Sequence, residues 1–120
     1  MCFLVAISAN AADGVFTASI NSKGNVVRQS SEWIGSVKHY PQSGYFSDYR
    51  IMFKTGVFDQ APGFCTVPVT DLNDYDDVFS AHAKLAGTPT SQGMKVITQL
   101  IGDAAKNAGA AKSFMLMCIR

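Results

Sequence analysis

The segment Tyr45-Phe-Ser-Asp-Tyr-Arg-Ile-Met-Phe-Lys54 is the most informative part of the sequence for the fold, because its side chains alternate between two sets with a period of two. A β-strand points successive side chains to opposite faces. One face would collect the largely apolar set Tyr45, Ser47, Tyr49, Ile51 and Phe53. The other face would collect the more polar set Phe46, Asp48, Arg50, Met52 and Lys54. This pattern predicts a half-buried antiparallel strand.

The same period continues on both sides of this stretch. Before it, Gly14–Ile20, the turn Asn21-Ser-Lys-Gly24 and Asn25–Arg28 predict a β-hairpin. Further strands are predicted at Glu32–Tyr40, Phe64–Thr70, Val78–Ala86, Met94–Ile101 and Phe114–Ile119, whereas a helix is conceivable only over Asp103–Lys112. About eight short strands joined by Gly, Pro and Asn turns indicate an all-β sandwich or barrel.

Length and composition restrict the class of protein. A chain of 120 residues is one domain. Charged residues are 16% of the chain, against roughly 25% in typical soluble domains, which is common in secreted or assembled β proteins. Because the net charge is +1, we expect no nucleic-acid partner. The longest apolar run, Cys2–Ile7, is far below the roughly 20 residues that cross a bilayer, so we expect no membrane insertion.

Residues 1–12 have two interpretations. A short apolar run followed by the small-x-small pattern Ala9-Asn-Ala11 is typical of the end of a signal peptide, but the positively charged leader is missing, so this would be a truncated signal segment. Alternatively, Phe3–Ser8 is a first β-strand. Residues 13–120 form the single β-sandwich domain in either case.

The three cysteines, Cys2, Cys65 and Cys118, have no CxxC or histidine spacing, which argues against a structural zinc site. Cys65 and Cys118 lie in apolar, strand-like runs. They are either buried thiols or one disulfide of an exported protein.

One motif carries a resemblance: Tyr49-xxx-Phe53-xx-Gly56-x-Phe58-xxx-Pro62. It resembles a pattern in the carboxy-terminal head domains of phage tail fibres and of related bacterial exported or surface proteins. These heads are jelly rolls of the complement and tumour-necrosis-factor type that assemble as trimers. The resemblance implies an antiparallel β-sandwich of about eight strands, jelly-roll-like, that forms a homotrimer.

The resemblance extends to the end of the chain. Phe114-Met-Leu-Met-Cys118 is similar to the closing strand of such heads, which runs through the middle of the subunit. The motif also has a structural reading of its own. Gly56 supplies a positive φ for a tight turn, and Phe58 can pack beside Phe53 across that turn.

Catalytic patterns are missing from the sequence. His39 and His82 lie in different strand regions without a recognisable nucleophile motif, and Glu32 is the single glutamate. No GxSxG, HExxH, P-loop or dinucleotide motif occurs. We therefore expect that the protein is not an enzyme.

The acidic segment Asp71-Leu-Asn-Asp-Tyr-Asp-Asp77 is the candidate metal site. Calcium takes six to eight oxygen ligands, and several could come from Asp71, Asn73, Asp74 and Asp76. The spacing differs from that of an EF-hand, so a solvated turn is the alternative. Calcium is the single cofactor that the sequence raises.

Aromatic residues around the turn Pro41-Gln-Ser-Gly44 form the candidate ligand site. Tyr40, Tyr45 and Phe46 flank this turn, and His39 is adjacent. Aromatic faces beside polar groups suit sugars, although exposed aromatics equally suit a subunit interface. Trp33 and Tyr49 are expected in the core.

The sequence thus favours a non-enzymatic receptor-binding or structural head domain, homotrimeric, that recognises a cell-surface glycan or protein through its loops. Such a protein would be secreted and extracellular or lie on a virion surface. The alternative is a monomeric exported carbohydrate-binding module, and a third hypothesis is a hydrolase with an unrecognised site. An exposed apolar strip would separate the first two, because a trimer needs one and a monomer avoids it.

Overall fold

A computed structural model describes residues 14–42, 46–70, 81–100 and 111–120. In these ranges the chain forms β-strands and no helix. The eight strands are β1 Val15–Ile20, β2 Val26–Ser30, β3 Ile34–Gln42, β4 Phe46–Phe53, β5 Phe64–Thr66, β6 Ala81–Leu85, β7 Gly93–Leu100 and β8 Phe114–Ile119.

The strands form two four-stranded antiparallel sheets that pack as a sandwich. Sheet I has the order β2-β1-β8-β5, and sheet II has the order β3-β4-β7-β6. The chain passes from one sheet to the other after β2, β4, β5 and β7, and β8 returns to lie beside β1. The prediction of an all-β, jelly-roll-like sandwich of about eight strands is confirmed.

The predicted hairpin at the start of the domain is present as β1 and β2. Its turn is stabilised by the side chain of Asn21, whose Oδ1 accepts hydrogen bonds from the backbone N–H groups of Lys23 and Asn25, at 3.0 and 2.9 Å. Gly24 takes a φ of 90°, which a residue with a side chain rarely adopts. A polar asparagine and a glycine at these positions therefore set the turn.

The alternation that predicts β4 is confirmed by its burial. Tyr49, Ile51 and Phe53 face the core, whereas Arg50 and Met52 are exposed. β4 lies between β3 and β7 in the interior of sheet II, so both of its edges are hydrogen-bonded. One face remains available to solvent, as expected for a strand with one polar face.

An aromatic cluster fills one end of the core. Trp33 stacks on Phe53 with ring centroids 5.5 Å apart, and Phe58 contacts Phe53 and Phe16 at 4.8 and 5.0 Å. The indole Nε1 of Trp33 donates to the carbonyl of Thr17 at 3.0 Å, which satisfies its one polar group. Gly56 has a φ of 87°, so the predicted turn and the packing of Phe58 beside Phe53 are confirmed.

A disulfide joins Cys65 to Cys118. The two residues are directly paired partners on β5 and β8, and both are buried. The sequence alone allows either two buried thiols or one disulfide. The strand register decides between them, because it places the two cysteines opposite each other on adjacent strands of one sheet.

Two strands end at other residues than the sequence predicts, and a proline lies near each of these ends. Pro41 was expected to close the strand of residues 32–40, but β3 continues through it to Gln42. Because β3 is an edge strand of sheet II, the missing N–H of a proline is tolerated there. The strand expected at 64–70 ends at Thr66, and beyond Pro68 only Val69 pairs with β8, through an isolated bridge to Phe114.

Some predictions lie outside the described residues. These are the two interpretations of residues 1–12, the acidic segment 71–77, Tyr45 and nearly all of the conceivable helix at 103–112.

Candidate functional site

The predicted aromatic ligand residues divide between two faces of sheet II. Tyr40 is 39% exposed on the outer face, and Phe46 lies half-buried in the next row of the same face, two residues along β4 from Asp48, the partner of Tyr40. His39 points to the inner face, because neighbours in a strand alternate. Tyr45 lies outside the described residues. The structure therefore brings Tyr40 and Phe46 to one face and separates His39 from them.

His39 belongs to a partly buried polar group between the sheets. Its ring stacks on Tyr49, with centroids 4.4 Å apart and planes 2° apart. Its Nε2 is hydrogen-bonded to the Ser47 hydroxyl at 3.1 Å. A histidine next to a serine is a nucleophile–base pair in hydrolases. Here Ser47 is 2% exposed, so its hydroxyl is closed off from a substrate.

Sequence spacing did not indicate this His39–Ser47 pair, because the two residues are eight positions apart with a turn between them. The antiparallel register pairs His39 with Tyr49 and Pro41 with Ser47, so His39 and Ser47 become diagonal neighbours. The signal available in the sequence was that both residues occupy inward positions of the two strands.

Tyr49 connects this group to the other sheet. Its hydroxyl donates to the carbonyl of Ser22 at 2.7 Å, in the β1–β2 turn. The N–H of Ser22 in turn donates to the Ser113 hydroxyl at 3.2 Å. Gly24 leaves room for the imidazole, since a Cβ there would lie 3.1 Å from the Cβ of His39. These contacts assign His39, Ser47 and Tyr49 to the structure of the sandwich.

Stability should depend on pH through His39. Burial lowers the pKa of His39 below its ordinary value of 6.5, because desolvation disfavours the charged ring. The unfolded chain therefore takes up the proton at a higher pH than the folded chain. The neutral His39 ring therefore costs the folded state nothing above pH 6.5, and the free energy of unfolding decreases as the pH falls from 6.5 through the pKa of His39 in the folded protein. We expect the melting temperature to drop between pH 7.5 and 5.5.

Two glutamine variants test this expectation. His39→Gln should flatten the pH dependence of the melting temperature, since an amide does not titrate. His82→Gln is the matched control, because His82 is exposed on β6 and should leave the wild-type dependence intact. An unchanged pH dependence in His39→Gln would contradict the assignment to His39.

The outer face of sheet II carries basic residues on adjacent strands. Lys38, Arg50 and Lys95 are register partners on β3, β4 and β7. The Arg50 guanidinium lies 4.6 Å from the centre of the Tyr40 ring, and its Nε is 3.5 Å from Oδ2 of Asp48. Tyr40 is thus in contact with a cation that is not among the ligand residues predicted from the sequence. The sequence did contain a signal for a basic face, because Arg50 and Lys95 both occupy outward positions of their strands.

A cleft of about 260 Å³ opens beside these basic residues. It lies between the end of β4, the start of β7 and the β6–β7 loop, and its lining includes Arg50, Met52, Thr88, Gln92 and Lys95. It therefore combines two cations with hydroxyl, amide and thioether groups.

The outer face of sheet I is different in character. Val15, Ile119 and Phe64 form one row across β1, β8 and β5, with 42%, 38% and 56% of each residue exposed. Met115, further along β8, is 44% exposed. Five of the seven exposed large hydrophobic residues in the described ranges lie on strands of this sheet: Val15, Val27, Phe64, Met115 and Ile119.

The candidate calcium ligands Asp71, Asn73, Asp74 and Asp76 lie outside the described residues, so calcium binding stays a prediction. Within the described ranges, no three His, Cys, Asp or Glu side chains come together as a metal cluster. The same ranges contain no helix that is long and apolar enough to span a membrane. The chain matches none of the family models, curated proteins and solved structures with which it was compared.

Proposed function

We propose that this protein is a non-enzymatic, homotrimeric head domain that binds a cell-surface ligand. The apolar outer face of sheet I carries this proposal, with the row Val15–Ile119–Phe64 at its centre. Monomeric proteins rarely expose large contiguous apolar patches, whereas interfaces between subunits contain them. A second copy of this chain is the occupant that fits, because assembly through the largely uncharged face of sheet I leaves the basic face of sheet II open.

The distribution of charge supports an interface on sheet I and a ligand-binding face on sheet II. The neighbouring row on sheet I, Thr17–Met117–Thr66, is uncharged, and the register places one arginine, Arg28 on the edge strand β2, in the row of Met115. Interface cores are depleted in charged residues in the same way. The number of subunits comes from the resemblance to tail-fibre heads, and three copies would present three binding faces, so that weak contacts add through avidity.

The Cys65–Cys118 disulfide supports an extracellular location. Disulfides persist in oxidising environments such as the exterior of the cell, and are rare in reducing ones. A secreted or virion-surface protein would keep this bond.

The decisive measurement is the solution mass of the full chain by light scattering after size exclusion. We expect the mass of three 12.9-kDa chains. Met115→Lys should reduce the mass to one chain, because a lysine in the apolar interface would be buried without a partner. Ile119→Lys should have the same effect at the central row.

Met52→Lys is the matched control, since Met52 on sheet II is 45% exposed and Met115 on sheet I is 44% exposed. It should leave the mass at three chains. A monomeric wild type would overturn the trimer and favour the monomeric carbohydrate-binding module. A trimer that survives both sheet I variants would overturn the assignment of the interface.

A further inference from the structure

The outer face of sheet II sets three cations side by side. Lys38 on β3 pairs with Arg50 on β4, and Arg50 pairs with Lys95 on β7. Lys84 on β6 lies in the next row, opposite Ile97. Like charges directly across neighbouring strands destabilise a sheet, so an anion bound over this row would relieve their repulsion.

One carboxylate partly offsets these charges. Among the residues that the structure describes, Asp48 is the acid on this face, against the four cations Lys38, Arg50, Lys84 and Lys95. The whole chain has a net charge of +1, so positive charge is concentrated here. A face with one sign of charge raises the local concentration of ligands of the opposite sign.

The Arg50 guanidinium is positioned to bind an anionic ligand. Asp48 lies 3.5 Å from its Nε, and the Tyr40 ring supports the guanidinium from 4.6 Å, while half of the Arg50 side chain stays exposed. A guanidinium has five N–H donors in a rigid fork that matches both oxygens of a carboxylate. Contact with Asp48 and Tyr40 restricts its conformers, which reduces the entropy lost on binding.

The adjoining cleft has the size and lining for a sugar ring. Its volume of about 260 Å³ is below the range of pockets for drug-sized ligands, which begins at ~300 Å³. Exposed Met52 offers an apolar surface to the face of a ring, and Thr88 and Gln92 offer polar groups to its hydroxyls. Gly93 lets β7 lie close against β4 at the wall of the cleft, because a Cβ there would collide with the Ile51 carbonyl.

The wall of the cleft is fixed by the β6–β7 loop. The hydroxyl of Thr90 accepts hydrogen bonds from the N–H groups of Gln92 and Gly93, at 3.1 and 3.2 Å. The N–H of Thr90 donates to the Gly93 carbonyl at 2.9 Å. These bonds hold the loop against the start of β7, so the cleft is formed before a ligand arrives.

We propose that this face binds an acidic polysaccharide, with a carboxylate of the sugar chain between Arg50 and Lys95 and the ring in the adjoining cleft. The inference rests on the proposed function, since it names the ligand class of the same head domain. A carboxylated sugar fits the combination of a forked donor, an apolar surface and polar side chains. Nucleic acid fits less well, because affinity for its backbone grows with the number of neutralised phosphates and the basic area is small.

Binding is tested by calorimetry with alginate and hyaluronan oligosaccharides as acidic probes and dextran oligosaccharides as the neutral probe. We expect the full chain to bind at least one acidic probe, more weakly as salt rises, and to leave dextran unbound. Arg50→Ala and Lys95→Ala should each weaken binding by about tenfold or more, as expected for the loss of a charge-assisted hydrogen bond.

Two further variants separate specific recognition from general charge. Lys23→Ala removes an exposed lysine in the β1–β2 turn and should leave the affinity unchanged. Arg50→Lys keeps the charge but loses the fork, so it should bind more weakly than the wild type and more tightly than Arg50→Ala. The inference is overturned if neither acidic probe binds, if both alanine variants bind like the wild type, or if single-stranded DNA of equal charge binds as tightly.

The oligomer measurement keeps this inference distinct from the proposed function. A trimer that binds neither acidic probe would retain the head-domain proposal and reject the acidic ligand. A monomer that binds through Arg50 and Lys95 would retain the anion site and reject the trimer.

Discussion

Replacing Cys65 and Cys118 together with alanine should lower the free energy of unfolding by about 4 kcal/mol. The disulfide closes a loop with a sequence separation of 53 residues, and such a cross-link removes conformational entropy from the unfolded chain. It also joins the edge strand β5 to β8, where β5 has three residues and otherwise depends on a short hydrogen-bonded ladder. Urea unfolding without reductant measures the loss.

The reduced wild type is the control for this prediction. Dithiothreitol should destabilise the wild type towards the value of the double variant and leave the variant unchanged. A thiol assay on the denatured wild type should find one free thiol per chain, that of Cys2. Three free thiols, or equal stability of the two proteins, would contradict the disulfide.

Phe58→Ala should lower the free energy of unfolding by about 3–5 kcal/mol, the range for removing a buried phenylalanine. Phe58 is 6% exposed and contacts the rings of Phe53 and Phe16 at 4.8 and 5.0 Å. Its removal would leave a cavity beside Trp33, whose ring centroid lies 6.2 Å from that of Phe58, and surrounding structure relaxes only partially around such a cavity. Chemical denaturation at a fixed protein concentration measures the change.

Two variants calibrate this result. Phe58→Leu fills much of the same space and should cost clearly less than Phe58→Ala. Tyr40→Ala removes an exposed aromatic whose main described contact is the Arg50 guanidinium, so we expect a loss of about 1 kcal/mol or less. A loss in Phe58→Ala as small as the one expected for Tyr40→Ala would show that the aromatic cluster does not stabilise the fold.

The fold was predictable where a local pattern specifies a local structure. The alternation of β4 follows from the two-residue period of a strand, and the β1–β2 hairpin follows from Asn21 and Gly24 in its turn. The pairing of Phe53 with Phe58 was predictable because a glycine turn brings them together. In each case the residues that form the pattern lie close together in the chain, so the local structure can be predicted without the tertiary structure.

The candidate site was predicted only in part. Tyr40 and Phe46 were selected because they are aromatic residues beside a turn, and they share the outer face of sheet II. Arg50 and Lys95 were not selected, because they are 45 residues apart in the chain and become neighbours through the pairing of β4 with β7. A row of basic residues across three strands cannot be recognised from the sequence alone, because the residues are far apart in the chain and the net charge is only +1.

The sequence alone specifies an all-β chain of about eight short strands, since the period of two and the turn residues are local properties of the chain. That these strands pair into two packed sheets follows from the tertiary structure. The tertiary structure decided which residues meet: Cys65 with Cys118, His39 with Ser47, and Lys38 with Arg50 and Lys95. It also decided that one sheet presents an apolar face and the other a basic one. Strand order and register are set by the packing of the whole core, and a shift of one residue would exchange the two faces of a strand.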